Sequence, residues 1–190
     1  KQGIETDVGF GDVWITPLSR SCLVMEHNIT PRNDMMLSEF TPIEYACATS
    51  VNQSTYDCMP KSGITPHPVA APHGPWPNDT VCTFLRDSYG ETKSPLKANT
   101  MYHSRSILFL PEFFIQLEKD YPREFDGVFE SFNTAWDEEA TMAITGAIRR
   151  ISPRWAASPR THLYLCSVVE MMVAELAAAN KAKRQAFACA

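Results

Sequence analysis

The chain has 190 residues, of which 44% are hydrophobic and 21% are charged, and its formal net charge is −5. This composition is typical of a globular chain and argues against a disordered one, and the length suits one large domain or two small ones. The negative charge argues against a nucleic-acid partner, and no apolar run reaches the ~18–20 residues of a membrane span. We therefore expect a globular protein with neither a nucleic-acid surface nor a membrane span.

The cysteine count and the acceptor motifs for N-linked glycans favour a secreted protein. Three such motifs begin at Asn28, Asn52 and Asn78, and the start at Lys1 fits a mature chain whose signal peptide has been removed. The even number of cysteines is enough for three disulfides: Cys22, Cys47, Cys58, Cys82, Cys166 and Cys189. We expect a secreted or extracellular glycoprotein with all six cysteines bridged. Six buried thiols in a cytosolic protein are the alternative.

The N-terminal half shows weak periodicity. Residues 13–15 are β-like, and the apolar stretch 22–25 fits a short strand or a short helix equally well. Residues 42–59 carry apolar side chains at helical spacing, which predicts a helix whose Cys47 and Cys58 bridge to different neighbours. A hairpin with a Cys47–Cys58 bridge is the alternative for this segment.

A proline-rich segment separates the two halves of the chain. Residues 60–77 contain six prolines in eighteen positions, and proline keeps its neighbours out of the α region. This segment predicts an extended linker. We expect an irregular, disulfide-tied region over 1–77 and a helical unit over 78–190 that packs with it as one domain.

The C-terminal half has the stronger helical pattern. Helices are predicted over 78–90, 107–121, 122–151 and 159–187, and Trp136 lies on the apolar stripe of the third. The apolar stripe of the last helix contains Leu165, Val169, Met172, Val173 and Leu176. The predicted fold class is mainly α, with a C-terminal unit of three to four helices and an irregular N-terminal half. An α+β fold is the alternative.

One string in the proline-rich segment resembles a catalytic motif. His73-Gly74-Pro75-Trp76-Pro77 is similar to the HGLWP signature of the T2-type ribonucleases, in which the histidine is an acid–base residue for RNA cleavage. The string departs from the signature at Pro75, and the family's second signature, HEWxKHG, has no counterpart in this chain. The resemblance implies a secreted hydrolase in which His73 acts on RNA.

The other candidate sites give weaker indications of a function. His103, beside two hydroxyl side chains, is a weak catalytic candidate, and the three acids at 137–139 point in different directions on a helix and cannot share one ligand. We expect no metal and no cofactor. The favoured function is binding of a protein partner through a rigid surface around Trp76 and His73. The alternatives are a secreted hydrolase and a coat or shell protein, and the ligand and the oligomeric state stay open.

Overall fold

The structure of the protein, a computed structural model, describes residues 2–5, 7–59, 65–68, 81–87, 90–133, 146–148 and 159–188. Two antiparallel sheets occupy most of the first 110 residues, and one long helix lies near the C-terminus. The prediction of a mainly α fold is therefore wrong. The protein is a mixture of helix and antiparallel sheet.

The described part of the chain contains nine strands, three helices and a further helical segment at 146–148. The strands are β1 Gln2–Glu5, β2 Gly9–Pro17, β3 Cys22–Pro31, β4 Met35–Thr41, β5 Tyr45–Val51, β6 Thr65–Pro68, β7 Val81–Asp87, β8 Gly90–Leu96 and β9 Tyr102–Phe109. The helices are α1 Gln53–Cys58, α2 Pro111–Asp120 and α3 Pro159–Ala188, with a short 3-10 turn at Glu130–Asn133.

The strands form a large sheet and a small ribbon. The large sheet has seven strands in the order β1-β2-β3-β9-β5-β7-β6, and β4 and β8 pair separately as a two-stranded ribbon. Every pairing in both sheets is antiparallel. The large sheet draws strands from both sides of residue 77, because β5 pairs with β7 and with β9.

The predicted helix over 107–121 is a strand followed by a helix. β9 lies at the centre of the large sheet and is buried on both faces, so its apolar end does not alternate with polar residues. A short continuous apolar run of this kind cannot be told from a buried helix by periodicity. The helix begins at Pro111, where the fixed φ of proline suits a first helical position.

Three other predicted helical regions differ from the structure. Residues 45–51 form β5, and only 53–58 are helical. β7 occupies 81–87, within the helix predicted over 78–90. Turns occupy 121–129, where Arg123 and Gly127 have φ of 72° and 73°, a left-handed backbone that a helix cannot accommodate. Trp136 lies outside the described residues.

The prediction of the last helix is confirmed, since α3 runs from Pro159 to Ala188 and all five residues of its predicted stripe are buried. This stripe belongs to one hydrophobic core with Val24, Ala48, Ile107 and Phe109 of the large sheet. α3 is also long and apolar enough to cross a membrane by length and composition, a criterion that the core helix of a globular protein meets as well. The expected absence of a span is thus not confirmed.

The prediction of three disulfides is wrong. Cys22, Cys47, Cys58 and Cys166 are free thiols. Cys22 and Cys47 are buried in the sheet, where a small thiol packs like an apolar side chain. Cys189 and the side chain of Cys82 lie outside the described residues. An even cysteine count without a recognisable spacing therefore did not indicate a disulfide framework.

Candidate functional site: a cavity between the large sheet and the ribbon

A cavity of about 850 Å³ lies between the large sheet and the β4–β8 ribbon. Pockets for small organic ligands range over roughly 300–1,000 Å³, so this volume is that of a ligand site. The β2–β3 loop around Arg20 lines the cavity, as do residues 41–43 and, from α1, Thr55 and Cys58.

The ribbon presents its less exposed face to the cavity. Successive side chains of a strand point to opposite faces, and in β8 Thr92, Ser94 and Leu96 are less exposed than their neighbours. Their cross-strand partners in β4 include Leu37 and Glu39. Met36 and Ser38 are exposed on the outer face of the ribbon, and Phe40, Glu91 and Lys93 are exposed too although they also line the cavity.

We call the face of the large sheet that meets the ribbon the cavity face, and the opposite face, which shares the core with α3, the core face. The pairing of β3, β9 and β5 places the side chains of the cavity face in rows across the sheet. From one end to the other, the rows are Leu23–Leu108–Cys47, Met25–Ser106–Thr49, His27–Ser104–Val51 and Ile29–Tyr102. Polar groups thus occupy the middle of the floor, with apolar side chains at both ends.

Three of these polar side chains form a hydrogen-bonded chain. The Oγ1 atom of Thr49 lies 3.0 Å from the Sγ atom of Cys47 and 3.0 Å from the Oγ atom of Ser106. Burial raises the pKa of the Cys47 thiol to about 11, although the hydrogen bonds with Thr49 and Ser106 act to lower this pKa. The chain is therefore uncharged at neutral pH.

His27 and Ser104 form a second polar group on the floor. The Oγ atom of Ser104 lies 2.9 Å from the Nε2 atom of His27. Burial lowers the pKa of His27, and the charge of His103 lowers it further, while Glu26 opposes both. The imidazole is neutral at neutral pH, so it has one N–H donor and one acceptor nitrogen.

The core face carries a buried ionic cluster directly behind this floor. Arg105 is only 2% exposed, and its Nη2 atom lies 3.2 Å from the Oε1 atom of Glu26. The Nε2 atom of His103 lies 3.4 Å from the same oxygen. Burial alone would raise the pKa of Glu26, but the hydrogen bond from His103 and the charge of Arg105 outweigh it, and the pKa falls below its usual range.

The structure separates the predicted site residues from the cavity. His103, the weak catalytic candidate, is 7% exposed and lies on the core face, away from the cavity. His73, Trp76 and Asn78 lie outside the described residues. In the part of the chain that the structure describes, no three His, Cys, Asp or Glu side chains are grouped as a metal site requires.

The predicted glycosylation sites receive no support from the structure. The Nδ2 atom of Asn52, to which a glycan would attach, donates to the carbonyl oxygen of Met101 at 2.8 Å, and the residue is 8% exposed. The Oδ1 atom of Asn52 accepts from the amide of Thr55 and so caps α1. Asn28 lies within β3, and its Nδ2 atom donates to Asp12 at 2.9 Å.

Sequence reasoning missed the polar floor of the cavity. Only part of β9 carried a signal, since Tyr102, Ser104 and Ser106 alternate with His103 and Arg105 but a continuous apolar run follows at 107–109. Ser106 bonds to Thr49 and Ser104 bonds to His27, and in each pair the two residues are more than 50 positions apart in the sequence. No local pattern places those side chains together.

Comparison with protein-family models, with curated proteins and with solved structures found no match. The functional argument therefore rests on the geometry of the cavity.

Proposed function

We propose that the protein binds a small organic molecule in the cavity between the large sheet and the ribbon. The observation that carries this proposal is the cavity itself, about 850 Å³ in volume, with apolar walls and a few polar side chains that converge on its floor. Apolar lining with a small number of placed hydrogen-bonding groups is the usual construction of a ligand site.

The Ser104–His27 pair also has the spacing of a nucleophile and its general base. A catalytic pair of this kind needs a third group that orients the histidine, such as a carboxylate. Glu26, next in sequence to His27, points to the core face and pairs with Arg105 instead. The geometry therefore favours recognition of a ligand by Ser104 and His27 over hydrolysis.

Two predictions from the sequence are not tested by the structure. Binding of a protein partner around Trp76 and His73 concerns residues outside the described part of the chain. A secreted or extracellular location was based on disulfides and glycans, and the free thiols and the buried Asn52 remove that basis. Both stay predictions.

Paired tryptophan substitutions on the ribbon test the proposal. Thr92 of β8 lines the cavity, whereas Ser38 of β4 is exposed on the outer side of the ribbon and does not line it. Nile red, an uncharged apolar dye that fluoresces in apolar sites, is the probe. We expect the wild type and Ser38→Trp to bind the dye, and Thr92→Trp to bind at least about tenfold more weakly because its indole takes up part of the cavity.

The stability of each variant in urea serves as the control for folding. Equal dye binding by Thr92→Trp and Ser38→Trp, with both variants folded, would place the dye elsewhere and contradict the proposal. Absence of dye binding by the wild type would contradict it as well.

A further inference from the structure

The cavity is longer than it is wide. Leu108 and Tyr102, in the first and last rows of its floor, are six positions apart in β9, which corresponds to about 20 Å along the strand. Across the strands the floor extends from β3 to β5 with β9 between them, a distance of about 10 Å. An occupant that fills the cavity therefore lies along the strands.

The end of the cavity next to Tyr102, which we call the inner end, is closed. The residues that line it there are buried: Val51, Thr55, Ser94, Leu96 and Tyr102. Helix α1 is fixed against β9 at this end, because the Oγ1 atom of Thr55 accepts a hydrogen bond from the amide of His103 at 2.9 Å. The described side chains that line the inner end are all uncharged, so this end suits an apolar group.

The opposite end, next to Leu108, is open, and we call it the outer end. Phe40 and Ile43 line the cavity there and are 59% and 52% exposed. Only three residues join β4 to β5, so the end of the ribbon that carries Phe40 lies beside the start of β5.

The charged side chains that line the cavity lie toward this outer end. They are Arg20, Glu39, Glu91 and Lys93, and all four are exposed. The Nζ atom of Lys93 lies 3.4 Å from the Oε2 atom of Glu91, and the set contains two acids and two bases. The outer end therefore suits a polar group in contact with water, and the mixture of charges does not favour one sign.

The polar side chains in the middle of the floor are hydrogen-bonded among themselves. Thr49 bonds to Cys47 and to Ser106, and Cys47 and Ser106 also bond to each other. The Oγ atom of Ser104 lies 3.2 Å and 2.9 Å from the two ring nitrogens of His27. Because these bonds are made within the floor, a hydrocarbon chain can cover it at a small cost in free energy.

We infer that the occupant is an elongated amphiphile with one long hydrocarbon chain and a polar group at one end of it. The chain lies along β9 with its methyl end at the inner end of the cavity, and the polar group lies at the outer end near Arg20 and Glu91. This inference rests on the proposed function and deepens it, because it names the class of the ligand and the direction in which the ligand lies.

Octanol and tetradecanol, which differ only in the length of the chain, test the ligand class by displacement of Nile red. We expect the wild type to bind tetradecanol at least about a hundredfold more tightly than octanol, because each methylene that enters the cavity improves the affinity about fourfold.

A substitution at the inner end tests the direction of the chain. Cys58 of α1 lines the cavity, whereas Asp57, the residue before it, is exposed and does not line it. Cys58→Phe should weaken tetradecanol at least about tenfold and octanol less than about twofold, because only the longer chain reaches the inner end. Asp57→Phe is the matched control and should leave both affinities unchanged. Met59→Trp obstructs the same end and serves as a second variant if Cys58→Phe fails to fold in urea melts.

The outcomes separate the inference from the proposed function. Binding of octanol as tight as that of tetradecanol, or equal effects of a folded inner-end variant on the two alcohols, would overturn the inference while Nile red still reports an occupied cavity. Failure of both alcohols to displace bound Nile red would overturn it as well. Failure of Nile red to bind the wild type would overturn the proposed function, and the inference with it.

Discussion

The core face and the cavity face of the large sheet belong to the same strands, but the core face contains buried charged groups and the cavity face contains uncharged polar groups. On the core face, one row across four strands runs Trp14–Glu26–Arg105–Ser50. On the cavity face, the neighbouring row runs Met25–Ser106–Thr49. The first row contains an ion pair that is buried away from water, and the polar groups of the second row are two neutral hydroxyls.

The difference shows what each face can do. A buried charge is tolerated only when a partner and hydrogen bonds compensate it, and Glu26 accordingly pairs with both Arg105 and His103. Neutral hydroxyls next to a cavity need no such compensation and can exchange partners. The core face therefore packs the sheet against α3, and the cavity face presents uncharged polar groups to a ligand.

The largest effect is expected from breaking the ion pair on the core face. Arg105→Met leaves the Glu26 carboxylate buried with less compensation, and we expect a loss of about 3–5 kcal/mol in the free energy of unfolding in urea. The matched control is Lys181→Met, which breaks an exposed pair with Glu124 and should cost less than about 1 kcal/mol. Similar losses for the two variants would show that Arg105 is not sealed in the core.

Truncation of neighbouring residues in β9 sharpens the comparison. Phe109 is fully buried on the core face, where its ring packs against Phe113, Phe114 and Phe132, and Phe109→Ala should cost about 3–5 kcal/mol. Leu108 lines the cavity and is only partly buried, so Leu108→Ala should cost roughly 2 kcal/mol less, because little new cavity is created. Equal losses in the free energy of unfolding for Phe109→Ala and Leu108→Ala in urea melts would argue against a cavity beside Leu108.

The smallest effect concerns pH. The pKa of His27 is lowered in the folded state by burial and by His103, so the unfolded chain binds more protons below the ordinary value of 6.5. The stability that the neutral ring contributes is complete above pH 6.5 and is lost as the pH falls toward the folded pKa. His27→Gln should flatten the fall in stability in that window, as followed by urea melts at several pH values. An unchanged slope would contradict the assignment of a neutral, buried imidazole.

The sequence predicts α3 well because its stripe is local. Leu165, Val169, Met172, Val173 and Leu176 recur at helical spacing, and tertiary packing agrees with that spacing. β2 is also recognisable from Val13-Trp14-Ile15. The central strands are not, since β5 and β9 are buried on both faces and lack the alternation of a half-exposed strand.

The site was harder to predict than the fold because it has no local motif. The hydroxyl chain joins Thr49 to Ser106 across 57 positions, and Ser104 meets His27 across 77. Serine and threonine in such positions are individually ordinary residues. Only the order of strands β3, β9 and β5, which local patterns do not determine, brings them onto one surface.

The central claim is that a ligand occupies the cavity face and never the core face. Intermolecular nuclear Overhauser effects between bound Nile red and protein methyl groups measure this directly. The account predicts contacts to Met25 and Leu108, which line the cavity, and none to Val24 and Ile107, their buried neighbours on the core face. Contacts to Val24 and Ile107 in place of Met25 and Leu108 would contradict it.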